Sequence, residues 1–298
     1  MVMIASPGRS HGLSGLPTTG LSPLSFSVLV VNSGPLHAPN LSYALLASSI
    51  AKVNRAYDKL GAWSGSEFTT RLLKDIGVSY VVGNPERLGD LPAGAFITIS
   101  NHPYGGLDGI ITIDMMARIR PDYKFIVNKL LSLIKTLEEN FIPVVPKGDK
   151  QTTIKATSIK GIREAIEHLG AGHPLGFFPS GAVSDFSLRD MKVRDRPWQE
   201  SILHLIHSVK VPVLPIRFFD MNSAFFYFLG LINWRVRLLR LPSEVFNKRG
   251  SHQRIGIGEL ISVEEQSRYP DPFSLGEYLR KKVYEMPVPE QFVPGNLI

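Results

Sequence analysis

The chain has 298 residues, of which 44% are hydrophobic, and is long enough for one large or two small domains with a sizeable core. It contains no cysteine, which excludes disulfide bonds, a thiolate nucleophile and cysteine-ligated zinc. Lys and Arg number 33 against 26 Asp and Glu, and the net charge of +7 suits nucleic acid, an anionic membrane, a phosphorylated substrate or simply a solvated surface.

The first 40 residues carry one charged side chain, Arg9, among many Gly, Ser and Pro. This composition predicts a poorly ordered segment over 1–40. A targeting segment, or a start codon assigned too far upstream, would give the same pattern, although the apolar run 26–31 lacks the basic flank of a signal peptide. Residues 41–298 are predicted to form a single domain, because no repeat or composition break divides them.

Helical and extended patterns alternate from residue 40 onward. A helix over 41–60 with Asn40 as N-cap, and a second from Ser64 or Ser66 to Gly77, predict an N-terminal helical hairpin. The alternation that follows predicts an α/β layered fold with a largely parallel mixed sheet flanked by helices. The predicted strands are 78–82, 96–100, 123–127, 141–145, 175–178, 211–216, 235–239 and 254–258, and the predicted helices are 109–119, 129–138, 153–169, 198–209 and 274–284.

The loop after the second predicted strand is the strongest candidate for catalysis. Its sequence at 101–109, NHPYGGLDG, places His102 and Asp108 six positions apart at a strand end, where active sites of α/β sheets lie. A carboxylate in reach can orient the imidazole and stabilise its protonated form, so the pair predicts a general-base dyad. Gly105 and Gly106 allow close approach of a substrate and could supply oxyanion N–H donors. The alternative is a structural histidine, with Asp108 only capping the next helix.

Two further loops at predicted strand ends carry groups that suit an anion. The Ser180 hydroxyl and the Gly181 N–H follow a strand and could bind phosphate, although an ordinary turn would have the same sequence. Ser180 lacks the Gly-x-Ser-x-Gly context of a nucleophile. Lys147, after the fourth predicted strand, could pair with phosphate or could simply be solvated.

Two other segments allow more than one interpretation. The uncharged run 221–234 is too short to cross a bilayer. It could lie on a bilayer surface, with the basic residues that follow it, or form a buried core helix. His204 and His207 share one face of a predicted helix, but a solvated face explains them better than a metal ion, and no metal site is predicted.

Four segments, taken in chain order, resemble the motifs of the glycerolipid acyltransferase family, of the lysophospholipid type with a His/Asp motif. They are NHPYGGLDG at 101–109, IPVVPK at 142–147, FPSG at 178–181 and the proline-flanked strand VPVLP at 211–215. The resemblance extends over 41–261. The first motif agrees at every fixed position with the Asn-His-Pro-x-Gly-x-Leu-Asp-Gly of the hemolysin-like branch.

Three departures from the common family pattern affect the site. Five residues separate His102 from Asp108 instead of four, so we expect the double glycine to bulge and bring the carboxylate to the ring. Ser180 stands where the family usually has Glu, which bears on the identity of the acceptor. Lys147 takes the place of an Arg in the second motif.

The resemblance implies transfer of a fatty acyl group from acyl-CoA or acyl carrier protein, as co-substrate, to the hydroxyl of a lyso-lipid. That acceptor would be a lyso-ornithine lipid, a related aminolipid or a lysophospholipid, and no cofactor would stay bound. His102 would act as general base and Asp108 would orient its ring. The substrate-binding residues implied are Asn101, Gly105, Gly106, Lys147, Phe178, Pro179, Ser180 and Gly181.

The uncharged run and the basic residues after it predict peripheral contact with an anionic bilayer, at the cytoplasmic face of the inner membrane. Two other functions fit the same residues: a non-catalytic lipid-binding protein of this fold at a membrane surface, and an N-acyltransferase with an amine acceptor. Nucleic acid is not an expected partner, because the basic residues form no recognition motif.

Overall fold

The computed structural model of the chain describes residues 58–145 and 156–298, together with 51, 52, 55 and 56. Strands and helices alternate along these residues, so the predicted α/β class is confirmed. The strands are β1 (Ser79–Gly83), β2 (Ile97–Ser100), β3 (Lys124–Asn128), β4 (Phe141–Val144), β5 (Leu175–Phe177), β6 (Asp185–Ser187), β7 (Lys192–Arg194), β8 (Val213–Phe218), β9 (His252–Ile257) and β10 (Val293–Pro294). The α-helices are α1 (Gly65–Ile76), α2 (Gly106–Ile119), α3 (Ala156–Gly170), α4 (Glu200–Val209), α5 (Ala224–Ile232), α6 (Trp234–Asn247), α7 (Val263–Gln266) and α8 (Pro272–Tyr284).

Eight of these strands form one mixed sheet in the order β10-β1-β9-β8-β2-β5-β3-β4. Neighbouring strands are parallel, except that β10 is antiparallel to β1 and β9 is antiparallel to β8. The parallel strands β8, β2 and β5 are neighbours, so the loops that follow them leave the sheet at one edge. This edge is where α/β sheets place their ligand sites.

Helices cover both faces of the sheet, because parallel strands are apolar on both sides. Side chains alternate along a strand. Ile97 and Ile99 of β2 therefore pack with α3, α4 and α8 on one face. Leu214 and Ile216 of β8 pack with α1 and α2 on the other.

The predicted N-terminal helical hairpin is described only in its second half. Helix α1 begins after Ser64 and ends at Gly77, whose φ of 71° is the left-handed conformation that glycine adopts readily at helix ends. The predicted disordered segment 1–40, and most of the predicted helix 41–60, lie outside the described residues.

Two predictions of secondary structure were wrong. The predicted helix 129–138 consists of two 3₁₀ helices, Lys129–Leu133 and Lys135–Asn140. The predicted strand 235–239 belongs to helix α6. Within this helix Arg237 is buried and Leu238 is exposed. The carboxylate of Asp185 pairs with the buried Arg237 guanidinium and offsets the cost of removing that charge from water.

Helix α5 lies within the uncharged run 221–234 and is buried on one side only. Phe226 and Tyr227 pack inward, whereas Phe225, Phe228 and Ile232 are more than half exposed. The interpretation of this run as a buried core helix therefore holds for one face alone. Among the described residues, no helix has the length and apolarity that crossing a bilayer requires.

The antiparallel hairpin β6–β7 was not predicted from the sequence. Its turn contains no glycine, and Met191 takes the positive φ of 52° that glycine or asparagine usually supplies. The turn therefore lacks the glycine that gives short hairpins their strongest sequence signal.

Gly176 in β5 provides a test of the packing beneath the site. A Cβ at this position would lie 1.8 Å from the Tyr123 hydroxyl oxygen and 2.7 Å from Thr98 Oγ1. We expect Gly176→Ala to destabilise the protein by about 1–3 kcal/mol or more, measured by urea unfolding, because these buried side chains must move. Gly170→Ala is the matched control, since a Cβ there meets no atom within 4 Å. Equal unfolding midpoints for the two variants would contradict this packing.

Candidate active site

The imidazole of His102 contacts the carboxylate of Asp108. His102 Nδ1 lies 2.7 Å from Asp108 Oδ2; the His102 side chain is 14% exposed and that of Asp108 is fully buried. Gly105, immediately before α2, takes a φ of 88°, which lets the loop turn back so that the carboxylate reaches the ring. The extra residue between His102 and Asp108 is thus accommodated in the way that the motif led us to expect.

Asp108 also holds the loop that carries His102. Its Oδ2 accepts hydrogen bonds from the N–H groups of Tyr104, at 2.9 Å, and Gly105, at 3.0 Å. Burial raises the pKa of the Asp108 carboxyl, while the contact with His102 and these two N–H groups act in the opposite direction. The two roles considered for Asp108, capping the helix and orienting the ring, therefore coexist in one carboxylate.

Phe178 fixes the plane of the imidazole. Its ring stacks on that of His102 with centroids 3.8 Å apart and an interplanar angle of 15°. Phe178 follows β5, the neighbour of β2 in the sheet, so the topology brings these rings together. With Nδ1 directed at Asp108, Nε2 has no protein partner within the described residues and is the ring nitrogen available to a substrate.

Asn101 joins the ends of two neighbouring strands. Its Nδ2 donates to the Phe218 carbonyl at 2.9 Å, and its Oδ1 accepts from the Phe218 N–H at 2.8 Å. The side chain thereby continues the pairing of β2 with β8 beyond the last paired residues, Ser100 and Ile216. Because both ends of the amide are used inside the protein, Asn101 holds the start of the His102 loop.

The Phe178–Gly181 turn is closed by its own hydrogen bonds. The Gly181 N–H donates to the Phe178 carbonyl at 2.9 Å, and the buried Ser180 hydroxyl donates to the Ala182 carbonyl at 2.9 Å. The Pro179 carbonyl accepts the N–H of Gln199 at 2.9 Å. These bonds shape the turn that presents Phe178.

The structure does not place every residue that the sequence indicated. Lys147 lies outside the described residues. The strand before it, β4, is at the edge of the sheet and is separated from β2 by β5 and β3. Gly106 opens the first turn of α2, and a Cβ there would meet no atom within 4 Å.

Two polar residues at the base of the β6–β7 hairpin contact His102 and were missed from the sequence. The Ser184 N–H donates to the His102 carbonyl at 2.9 Å. The His102 N–H donates to Asp195 Oδ1 at 3.2 Å. Because the hairpin was not recognised, nothing in the sequence indicated that residues 82 and 93 positions downstream would meet the histidine.

Helix α6 and the residue beyond its end cover the loop from outside. A Cβ on Gly105 would lie 2.9 Å from a methyl of Leu241, so the helix packs directly on this turn. The buried Lys248 lies 4.7 Å from the Tyr104 ring centroid and donates to Asn222 Oδ1 at 2.6 Å. Burial lowers the pKa of Lys248, although nearby acidic groups oppose the shift. These contacts give the loop a fixed outer wall.

Within the described ranges, no group of three or more His, Asp or Glu side chains is arranged to hold a metal ion. His204 is exposed and lies 3.7 Å from Glu200 on the same helix. The chemistry that the described residues offer at this site is therefore that of a buried carboxylate, an imidazole and main-chain N–H groups.

The comparison with protein families matches residues 32–288 to the model of a family described as acyltransferase. Two curated relatives are lyso-glycine lipid O-acyltransferases. The relative from Bacteroides thetaiotaomicron is 24% identical over 241 residues, which span 78% of this chain and 83% of that protein. The relative from Phocaeicola vulgatus is 23% identical over 195 residues, which span 63% of this chain and 67% of that protein.

Among solved structures, the crystal structure of the 1-acyl-sn-glycerophosphate (LPA) acyltransferase PlsC from Thermotoga maritima is similar to this chain. The two share 17% sequence identity, and the TM-score is 0.45. The match covers 82% of this chain and 91% of that chain.

The two adjacent glycines of the loop differ in what they tolerate, and this difference tests the loop geometry. Gly105→Ala combines a φ of 88° with a Cβ 2.9 Å from Leu241, so we expect a loss of about 1–3 kcal/mol of stability. Gly106→Ala meets neither obstacle and should change the free energy of unfolding by less than about 1 kcal/mol. Urea denaturation of both variants measures the difference, and a Gly106→Ala variant as unstable as Gly105→Ala would refute it.

Proposed function

This chain belongs to the acyltransferase family, and we propose that it transfers a fatty acyl group from acyl-CoA or acyl carrier protein to the hydroxyl of a lyso-lipid. The observation that carries the proposal is the contact of His102 Nδ1 with the buried Asp108 carboxylate, together with an Nε2 that no described residue occupies. An imidazole held in this way can take a proton from a hydroxyl.

The relatives favour an aminolipid as the acceptor. Both are named lyso-glycine lipid O-acyltransferases, and one covers 78% of this chain. We therefore place a lyso-glycine lipid first among acceptors, ahead of lyso-ornithine lipid and lysophospholipids. A hydroxyl acceptor also agrees better with these names than the amine of an N-acyltransferase does.

The transfer proceeds directly between the two substrates. His102 Nε2 removes the hydroxyl proton of the acceptor as its oxygen attacks the thioester carbonyl. The tetrahedral intermediate then collapses, the C–S bond breaks, and the imidazolium returns the proton to the departing thiolate. Asp108 stabilises the imidazolium between these steps. Positioned base catalysis of this kind contributes about 10²–10⁴-fold to the rate.

Other predicted site residues receive more specific roles from their contacts. We assign Asn101, Pro179 and Ser180 to holding the two loops, because their polar groups bond within the protein. Phe178 fixes the orientation of the imidazole by stacking on its ring. The N–H of Gly105 is bonded to Asp108, which leaves that of Gly106, in the first turn of α2, as the oxyanion donor.

The remaining two predicted residues serve the head group in this proposal. Gly181 is exposed at the end of its turn, where a head group can approach the main chain. Lys147 is assigned to the anionic part of the head group, as the sequence resemblance implies.

The exposed face of α5 is the proposed contact with an anionic bilayer. It presents four apolar side chains to solvent, with exposures between 46% and 67%: Phe225, Phe228, Leu231 and Ile232. Trp234, the first residue of α6, is 51% exposed beside them. Phe226, on the opposite side of α5, packs against Val183 of the loop that adjoins His102, so a lipid held on α5 would lie close to the base. We propose the cytoplasmic face of the inner membrane as the place of this contact.

Activity measurements on a panel of lyso-lipids test the reaction. His102→Ala should lower acyl transfer by at least about 10²-fold, because the base is lost. Asp108→Asn should lower it as well, because a neutral amide cannot stabilise an imidazolium. His204→Ala, which removes an exposed imidazole, is the matched control and should leave the rate unchanged. Full activity of His102→Ala would exclude the base assignment, and lipid binding without turnover by the wild-type protein would favour the non-catalytic alternative.

Liposome flotation tests the bilayer contact. Phe228→Glu combined with Ile232→Glu should abolish binding to vesicles of anionic phospholipid, because two charged groups would enter the apolar interface. Ile166→Glu, at an exposed isoleucine of α3, is the control. Wild-type binding should weaken at high salt, since each basic side chain near an anionic surface contributes about 1 kcal/mol. Flotation of the double variant at the wild-type level would rule out α5 as the contact.

A further inference from the structure

The His102 main chain is held on both sides by the two residues that flank the β6–β7 hairpin. Ser184, just before β6, donates its N–H to the His102 carbonyl at 2.9 Å. Asp195, just after β7, accepts the His102 N–H on Oδ1 at 3.2 Å. The same Oδ1 accepts the Ser184 hydroxyl at 2.5 Å, which joins the two ends of the hairpin. The three residues form a closed ring of hydrogen bonds around the peptide groups of the base.

Asp195 is itself anchored by helix α8. Its N–H donates to the Tyr284 hydroxyl oxygen at 2.9 Å, and its carbonyl accepts from Arg280 Nη2 at 2.8 Å. Helix α8 packs into the core on the face of the sheet that carries Ile97 and Ile99 of β2. The position of the Asp195 carboxylate, which accepts the His102 N–H, is therefore fixed by a helix of the core and not by a loop alone.

The Asp195 carboxyl is buried, with 4% of the residue exposed, and it interacts electrostatically with His102. Burial raises the pKa of Asp195, whereas the Ser184 hydroxyl and the charge of His102 favour the ionised form. Its Oδ2 has no hydrogen-bond partner among the described residues. Two hydrogen bonds converging on Oδ1 suit a carboxylate, which can accept but not donate.

Among the described residues, charged groups near His102 and its hydrogen-bond partners lie on α2, on α6 and at both ends of the β6–β7 hairpin. Asp108 contacts the ring from α2, and Asp195 contacts the main chain from the end of β7. Arg237 reaches in from α6, where its Nη1 donates to the Ser184 carbonyl at 3.1 Å and pairs with Asp185. The β5 loop contributes the uncharged ring of Phe178. The guanidinium is thus paired with Asp185, whereas the carboxylates of Asp108 and Asp195 contact His102 itself.

We propose that Asp195 is a positioning residue for His102, which fixes the main chain from which the imidazole projects and adds its negative charge to that of Asp108 in stabilising the imidazolium. This inference rests on the proposed function, in that it takes His102 as the base. Asp195 touches no reacting atom in this scheme and acts only through the histidine.

The pH dependence of kcat/KM for acyl transfer tests the proposal with Asp195→Asn, which keeps an acceptor oxygen but removes the charge. We expect the acidic limb of the profile to move to lower pH, because less negative charge favours the neutral imidazole. We also expect kcat to fall by about tenfold or more from altered positioning, with KM for the lipid little changed. Asp190→Asn, at an exposed aspartate of the same hairpin that pairs with Arg194 at 3.5 Å, is the matched control and should match the wild type.

Ser184→Ala provides a second route in case Asp195→Asn fails to fold. It removes one of the two donors to Oδ1 and leaves the main-chain bond to His102 in place, so we expect a smaller loss of kcat with KM unchanged. Wild-type kcat and an unmoved acidic limb in Asp195→Asn would overturn the inference, and so would a Ser184→Ala variant that behaves like Asp190→Asn. A failure of the proposed function is distinguishable, because the wild type would then be inactive or His102→Ala fully active.

Discussion

The buried carboxylate of Asp108 is the interaction on which the site depends. A charge with no solvent contact is costly unless it is fully hydrogen-bonded. Asp108 accepts hydrogen bonds from the N–H groups of Tyr104 and Gly105, and its Oδ2 lies 2.7 Å from His102 Nδ1. The requirement forces the loop to fold back onto the start of α2, and this fold in turn needs the positive φ of Gly105. The position of the His102 ring is therefore a consequence of satisfying one carboxylate inside the protein.

The sheet topology determines which segments can meet around this carboxylate. Because β8, β2 and β5 are neighbours and parallel, the loops after all three leave the sheet together. Phe178 thus stacks on the imidazole, and Asn101 bonds to Phe218 across the strand ends. The hairpin β6–β7 and helix α6 then close the loop from outside. This hairpin carries Asp195 at its base, and α6 follows directly on α5, whose outer face is apolar.

Much of the fold was predictable because local chemistry and global packing agree. Alternating strand and helix patterns correctly indicated an α/β sheet, and Gly77 correctly indicated the end of α1. The errors lie where tertiary contacts override local pattern. Residues 235–239 were predicted as a strand but lie in α6, where Arg237 is buried against Asp185. The β6–β7 turn adopts its conformation without glycine, so the strongest local signal of a hairpin is missing.

By itself, the sequence determined the class of fold and the pair His102 and Asp108, because a short motif keeps its members within reach of one another. The resemblance to the family motif, which has one residue fewer between them, also led us to expect a bulge at the double glycine. Only the tertiary structure decided that Asp195 holds the His102 main chain, across 93 positions of sequence. Only the tertiary structure showed that the Ser180 hydroxyl donates to the Ala182 carbonyl within the protein. Such contacts depend on the order of strands in the sheet and on which groups lose water, and neither is encoded in local spacing.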